Sequence, residues 1–435
     1  MKTVATIKRD LTIREFDLLF LEGSSPEGEE NVLSKQDWHW LSDQSASDEQ
    51  RPAFFRPIFR HGFQALQALK YVGSIETPGG TRIEILPKLT DLADNLAESR
   101  GVLLKMLGTV LNLKTHSWRE GSLSVLKKPL NEYLIELFLT DLETLVKKGL
   151  RSSYVLQAEE RTFLKGRLRI EKQLNRRPGL NSRFDIEHHD FLPNRPENRL
   201  IHAALLVVAR TTREPNSQRR IRSLRFLFAE IPPSTKQPQD FRNWSTDRSL
   251  ISYRELKTWC QLILGQQSPL FLAGHFSGLS FLFPMEVLFE QYVAAILTKK
   301  IKPGLRLVAQ PARHSLVSHL GAPWFQLRPD LIIEDANGSC QSVLDTKWKK
   351  LDQNLPTTKD KYNLAQSDFY QMAAYATRYL GGTGEMYLIY PGSSDFNAPL
   401  PPFHFTEQLR LRVVPFDLRK DEIQLPFLHS FPKDS

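Results

Sequence analysis

Residues 328–350 read RPDLIIEDANGSCQSVLDTKWKK. Two apolar runs, Leu331-Ile332-Ile333 and Ser342-Val343-Leu344, flank a polar centre, and an aspartate adjoins each run. Asn337-Gly338 is the favoured pair for a two-residue type I′ reversal, whose central positions take positive φ. With that pair at the tip, Ala336 faces Ser339, and counting outward sets Asp330 across from Asp345. A symmetrical four-residue loop gives the same pairing; a bulge shifts it. Opposed residues share a sheet face, with Cβ atoms about 5 Å apart. Alternation brings Lys347 to that face and sends Thr346 to the other. The stretch therefore predicts a hairpin that gathers two carboxylates and one amine.

Carboxylates that close repel unless one is protonated or a cation lies between them. A hard divalent ion, Mg2+ or Mn2+, suits oxygen ligands. It would polarise a phosphoryl oxygen and acidify a bound water. Lys347 beside it would position or deprotonate that water, or offset charge on phosphorus. The plain alternative is a solvent-facing edge on which Asp and Lys simply pair. Downstream, DFYQMAAYATRYL (368–380) sets Gln371 and Tyr375 four apart on one helix face, where their polar tips can orient Lys347 or touch a nucleic-acid backbone. The alternative is that Tyr375 packs in the core and Gln371 is a surface residue. Upstream, Glu286 and Glu290 share a helix face; either adds a carboxylate to the site or is a solvated charge.

Outward from this centre, FPMEVLFEQYVAAILTKKI (283–301) predicts a helix, 364–380 another, and GEMYLIYP (384–391) a strand, an α/β rhythm from about 276 to 435. The first 95 residues read as β-rich, with a hairpin in YVGSIETPGGTRIEILPKL (71–89) and a surface loop at 42–52. Between them, 96–275 reads as mainly helical with extended segments: helices in GVLLKMLGTVLNL, PLNEYLIELFLTDLETLVKKGL and NRLIHAALLVVARTT, a strand in FDIEHHDFLP, and a loop at 231–240. The expected fold class is α/β (α+β).

The order Glu290, Pro329-Asp330, Asp345-Thr346-Lys347, Gln371 and Tyr375 resembles the PD-(D/E)xK nuclease superfamily, with the glutamine-tyrosine motif of its RecB-like branch. More narrowly, YVGSI, IEILPKL, LKGRLRI, LFEQYV, RPDLII, VLDTKWK, YQMAAYA and YLIYP resemble the McrC family, the nuclease subunits of McrBC modification-dependent restriction systems. The resemblance spans most of the chain. It implies a C-terminal PD-(D/E)xK endonuclease domain, a mixed sheet flanked by helices, that depends on Mg2+. Asp330, Asp345 and Glu290 are then metal ligands, Lys347 the catalytic lysine, and Gln371 a further site residue. It also implies a stalk engaging a hexameric McrB-like AAA+ GTPase and stimulating it, and double-stranded DNA carrying modified cytosine as substrate. The acidic stretch 24–51 is a candidate insertion. The alternatives are a non-catalytic assembly subunit of an AAA+ complex and a stand-alone RecB-like nuclease.

Composition agrees with a nucleic-acid partner without requiring one. The 435 residues carry 58 Lys and Arg against 49 Asp and Glu, a formal charge of +9. Two cysteines, Cys260 and Cys340, make neither a disulfide framework nor a Cys/His zinc cluster. Lys8, Arg9 and Asp10 interrupt any signal-peptide core and no run is long enough to span a bilayer, so a soluble, cytoplasmic protein is expected. No G-x-x-x-x-G-K-[ST] occurs, so a nucleotide motor would have to come from another subunit. Arg210, Arg213, Arg219, Arg220, Arg222 and Arg225 form a basic cluster that suits phosphates, a partner's acidic surface or plain solvent. Lys165, Arg167 and Arg169 read as one side of a strand, with the same alternatives. His188 and His189 on a strand point opposite ways and do not make a joint metal site.

Overall fold

The computed structural model describes residues 9–45, 53–60, 62–88, 95–113, 128–175, 183–245, 247–265 and 280–428. The chain forms two units, one of Met1–Leu130 with Leu282–Ser435 and one of Asn131–Phe281.

The first unit is built on a seven-stranded mixed sheet. Its order is Leu305–Ala309, Leu331–Asp335, Cys340–Thr346, Gly384–Pro391, Leu409–Asp417 and Phe403–His404, with Glu422–Ile423 also pairing to Leu409–Asp417. The first three strands run antiparallel, and Cys340–Thr346, Gly384–Pro391 and Leu409–Asp417 run parallel. Parallel strands are covered on both faces, which is why GEMYLIYP is buried at six consecutive positions rather than alternating. On one face Ile332, Val343, Met386, Leu388, Leu411 and Val413 pack with Met372, Tyr375, Ala376 and Tyr379 of the helix Gln366–Tyr379. On the other, Phe289 and Tyr292 of the helix Met285–Lys300 meet Phe416 edge-on.

The hairpin at its centre forms, but its tip differs from the expected type I′ turn. Gly338 alone takes positive φ (+82°); Asn337 does not. Gly338 N–H donates to the Asp335 carbonyl, and Asp335 N–H to the Ser339 carbonyl, both at 3.1 Å. That is a three-residue loop with glycine in the left-handed position. The odd loop would slip the ladder by one. A bulge restores it: Glu334 pairs with Cys340 but Ile333 pairs with Ser342, leaving Gln341 unpaired. From there Ile332 faces Val343 and Leu331 faces Leu344, the register expected from the sequence. Two irregularities cancel before the aspartates are reached.

The N-terminal strands belong to this same unit. Asp10–Arg14, Arg82–Leu86, Tyr71–Glu76 and Phe281–Pro284 form one sheet, so a strand from late in the chain completes an N-terminal one. The expected hairpin is its Tyr71–Glu76/Arg82–Leu86 pair. A second sheet orders Val32–Leu33, Leu18–Leu21, Phe63–Ala68 and Phe55–Arg60. The helix Leu96–Val110 packs against Met285–Lys300. Its Arg100 Nε donates to buried Glu84 Oε1 at 2.8 Å, and Glu84 also accepts from the Thr12 hydroxyl and Leu130 N–H. Residues 1–95 and 276–435, expected as separate domains, thus share one body with the 96–110 helix. Of the expected 42–52 loop, 42–45 close the helix Lys35–Ser45 and 46–52 lie outside the described residues.

The second unit centres on the helix Pro196–Thr211, against which Pro215–Leu227, Gln237–Arg242 and Arg254–Ile263 pack. The helix Leu130–Lys147 joins it through Glu132, which accepts from Thr212 Oγ1 (2.6 Å) and Arg213 N–H (2.8 Å). Ser153–Arg161, Phe184–Leu192 and Arg167–Leu168 make a three-stranded sheet. Residues 237–240 of the expected 231–240 loop are helical, opening the helix Gln237–Arg242, with Pro238 in the first turn where its missing N–H costs nothing. Among the described residues no helix is long and apolar enough to cross a membrane.

Candidate active site

Asp330 sits just before the strand Leu331–Asp335, and Asp345 is the penultimate residue of Cys340–Thr346. The restored register brings both acids to one end of the sheet. Asp330 Oδ2 accepts from Thr346 N–H at 2.7 Å and from the Thr346 hydroxyl at 2.6 Å. Thr346, expected on the far face, therefore curls round the strand end to fix Asp330. Lys347 forms an ion pair with Asp345 Oδ2 and donates from Nζ to Gln371 Oε1 at 3.0 Å. Gln371 Nε2 donates to Tyr375 Oη at 2.7 Å, and the Tyr375 hydroxyl donates to the Arg328 carbonyl at 3.0 Å. The relay begins two residues before one acid and ends on the other. The i, i+4 helical spacing of Gln371 and Tyr375 lets a single helix face supply both middle links.

Glu290, on the helix from the opposite face, reaches the same end. Gln310 holds it there: its Nε2 donates to Glu290 Oε1 at 2.8 Å while its own N–H donates to the Asp330 carbonyl at 2.7 Å. Glu286, one turn earlier, turns out to solvent and pairs with Lys70.

The electrostatics follow from crowding acids in a dry place. Asp345 is 1% exposed. Burial and the neighbouring Asp330 charge push its carboxyl up to about 7, against the pull of Lys347. Burial also raises Asp330, opposed by the Thr346 donors and Lys347. Glu290 is pushed to about 7 by burial and then by Asp330, with Gln310 and Lys347 opposing. Burial alone would lower Lys347, but the carboxylates of Asp345 and Asp330 leave it raised, so it stays a cation.

This donor set fits a hard cation. Lys347 apart, neither Asp345 oxygen meets a hydrogen-bond donor, although both are shut off from water. Buried carboxylate oxygens without donors, beside a second raised carboxyl, call for positive charge. Among the described residues no three His, Cys, Asp or Glu side chains form a metal-holding group; Glu290 accepts from Gln310 through Oε1. Asp330 and Asp345 are the pair that would hold Mg2+.

Thr346 was expected on the far face, and neither Gln310 nor Trp348 was expected at the site. Thr346 and Trp348 flank Lys347 directly, so adjacency was their signal. Gln310 has none in the sequence; only the pairing of Leu305–Ala309 with Leu331–Asp335 brings it to Asp330. The other candidates make contacts within their own unit. Lys165 pairs with Asp190 at 2.7 Å, Arg167 with Glu187 at 3.8 Å and Arg169 with Asp185 at 3.6 Å; only Arg167-Leu168 is strand. Arg220 is tied to Glu143 at 2.7 Å. His188 is buried against Asp190 and Glu159 while His189 is exposed, the opposed orientation expected of strand neighbours.

The chain can be set beside known proteins on this basis. No curated protein sequence matches it. Among solved structures it resembles a chain of the refined half-complex from the tetradecameric assembly of Thermococcus gammatolerans McrB AAA+ hexamers with bound McrC. That likeness has TM-score 0.67 at 18% identity and covers 94% of each chain. A chain of the cryo-EM structure of the Thermococcus gammatolerans McrBC complex matches with TM-score 0.48 at 21% identity, over 66% of this chain and 87% of that one. The family described as McrBC 5-methylcytosine restriction system component matches residues 66–391. That span includes Glu290, both aspartates, Lys347, Gln371 and Tyr375, and it is well over half the chain: this protein belongs to the McrBC family of restriction-system components.

Proposed function

We propose that this subunit is the DNA endonuclease of its restriction system, hydrolysing phosphodiesters with Mg2+ (or Mn2+) bound by Asp330 and Asp345. The single observation that carries the reading is the convergence of those two acids and Lys347 at one sheet end, with Lys347 held by Gln371. Bound there, the metal would supply Lewis-acid polarisation of a phosphoryl oxygen and neutralise developing charge. The chain's own residues do the rest. Thr346 fixes the Asp330 carboxylate, so one acid is oriented before a ligand arrives. Lys347 remains an ammonium that can donate to a phosphate oxygen or orient the attacking water, and the Gln371–Tyr375 relay limits its rotamers. Glu290 is a third acid at hand, available to the attacking water or to the metal.

In the solved relative, McrC is bound to McrB AAA+ hexamers. We assign this chain an equivalent McrB-like AAA+ GTPase as partner, which it would stimulate, and cytoplasmic double-stranded DNA bearing modified cytosine as substrate. The test is cleavage of such DNA by the reconstituted complex. Asp345→Ala and Lys347→Ala should each abolish cutting while partner GTPase stimulation persists. Undiminished cutting by either variant removes the site. Loss of stimulation together with cutting would instead favour an assembly subunit whose acids are structural.

A further inference from the structure

A cavity of about 320 Å3 is lined by Arg14, Glu15, Lys88, Trp348, Lys349 and Lys350 among others. We propose that it is a nucleotide-binding pocket, taking an aromatic base against the Trp348 indole and a phosphate at its rim of cations.

Three features of the cavity point to one ligand chemistry. The first is a fixed aromatic wall. Trp348 Nε1–H donates to Glu15 Oε2 at 3.0 Å and its ring lies against Phe289, with centroids 5.3 Å apart. Anchored at both points, the indole is pre-organised, and base stacking on such a ring is tolerant of sequence. The second is an unmet polar atom. Glu15 is fully buried, Oε2 is satisfied by Trp348 and the Lys88 N–H, and Oε1 has no hydrogen-bond partner. Native structures rarely leave such an atom without a counterpart, and the exocyclic amino group or ring N–H of a base is a donor of the right kind. The third is charge. Four cationic side chains surround a single carboxyl. Lys88 is partly spent on Asp17 and Lys350 on Asp395, whereas Lys349 is exposed and has no ion-pair partner among the described residues. A bare anion would leave the indole wall and Glu15 unused, and an apolar ligand would leave the lysines unused. A nucleotide engages all three.

The chain geometry ties the pocket to the neighbouring site. At the end of Cys340–Thr346, Lys347 turns toward Gln371 of one helix and Trp348 toward Phe289 of the helix on the opposite face. A nucleotide bound at Trp348 is therefore one residue from the lysine beside the acids. The pocket stands on its own residues; only its assignment to a nucleotide of the cut strand, rather than a free mononucleotide, rests on the nuclease reading.

The experiment uses the full chain. Calorimetric titration with dGMP should show binding that falls about tenfold in Trp348→Leu, as loss of one stacked base predicts. It should weaken in the surface variant Lys349→Ala and be unchanged in Asp345→Ala. Inorganic phosphate should bind far more weakly than dGMP. Absence of dGMP binding, or equal affinity in wild type and Lys349→Ala, overturns the pocket, and the latter holds even if Trp348→Leu fails to fold. A duplex carrying 2-aminopurine separates the sources: Trp348-dependent brightening assigns the pocket to the strand, and dGMP binding without it assigns a free nucleotide. If Asp345→Ala still cuts DNA, the nuclease reading fails while dGMP binding leaves the pocket standing.

Discussion

Lys347 is the residue on which the candidate site turns, and its environment sets what each substitution should do. Removing its ammonium deletes a preorganised cation, a change that typically costs about 100- to 1,000-fold in rate. Lys347→Met should therefore slow cutting by that factor and, by leaving the buried Asp345 carboxyl without its cation, lower the melting temperature as well. Gln371→Ala leaves the charge and frees the rotamer, so a milder loss, about tenfold, is expected in single-turnover cleavage; a loss equal to that of Lys347→Met would mean Gln371 touches substrate itself. Glu15 offers a test on stability. Burial pushes its carboxyl to about 7 from the usual 4.5, against the Trp348 and Lys88 donors. The folded value lies above the unfolded one, so the neutral acid favours the folded state. That contribution is complete below about pH 4.5 and is lost as pH rises through about 7, to the extent of roughly 3 kcal/mol. Glu15→Gln should be relatively more stable at pH 8 than at pH 5 when compared with wild type. Parallel melting curves for the two proteins across that range would contradict the assignment. At this scale the sequence was informative where chemistry is rare, in two aspartates and a lysine, and silent for Gln310, a residue whose importance lies entirely in what pairs beside it.

The hairpin shows how an element can be right for a different reason than its local signals suggest. Asn337-Gly338 announced a reversal correctly, yet only Gly338 uses positive φ, and Asp335 Oδ1 caps the loop by accepting from Asn337 and Ser339 N–H, each at 2.9 Å. The capping carboxylate favours the longer loop, and the bulge at Gln341 absorbs the extra residue. Alternation alone has no means of locating a bulge, because Gln341 is as acceptable on either face of a strand edge. A deletion pair checks this. Removing Gln341 alone should regularise the ladder, keep Asp330 across from Asp345 and preserve cutting. Removing Gln341 and Ser342 together should slip the strand by one, rotate Asp345 off the site face and abolish it. Equal activity in both variants would show that the register is not what positions the acids. Gly338→Val, forced to positive φ, should destabilise the fold by about 1–2 kcal/mol in denaturant titration.

Across the whole molecule, what eluded the sequence was which distant segments share a core. Periodicity identified the strand GEMYLIYP at its observed bounds and the 71–89 hairpin, since both signals are local. It had no way to register that Phe281–Pro284 completes a sheet begun at Asp10–Arg14, or that Leu96–Val110 covers the helix bearing Glu290. The consequence is that the seven-stranded sheet is not a detachable C-terminal module. Residues 276–435 alone would expose the Phe281–Pro284 edge and the face of Met285–Lys300 that Leu96–Val110 normally covers, while leaving Trp348 without its Glu15 acceptor. Such a fragment should aggregate or show no cooperative melt. Replacing only 131–280 by a flexible linker keeps both halves of the first unit and the whole strand Phe281–Pro284 on one chain, and that protein should melt cooperatively. Co-expression of 1–130 with 282–435 should recover the same melt through pairing of the two pieces. A soluble, cooperatively melting 276–435 fragment would instead show that the seven-stranded sheet closes its own core, and that the N-terminal strands are an attachment to it.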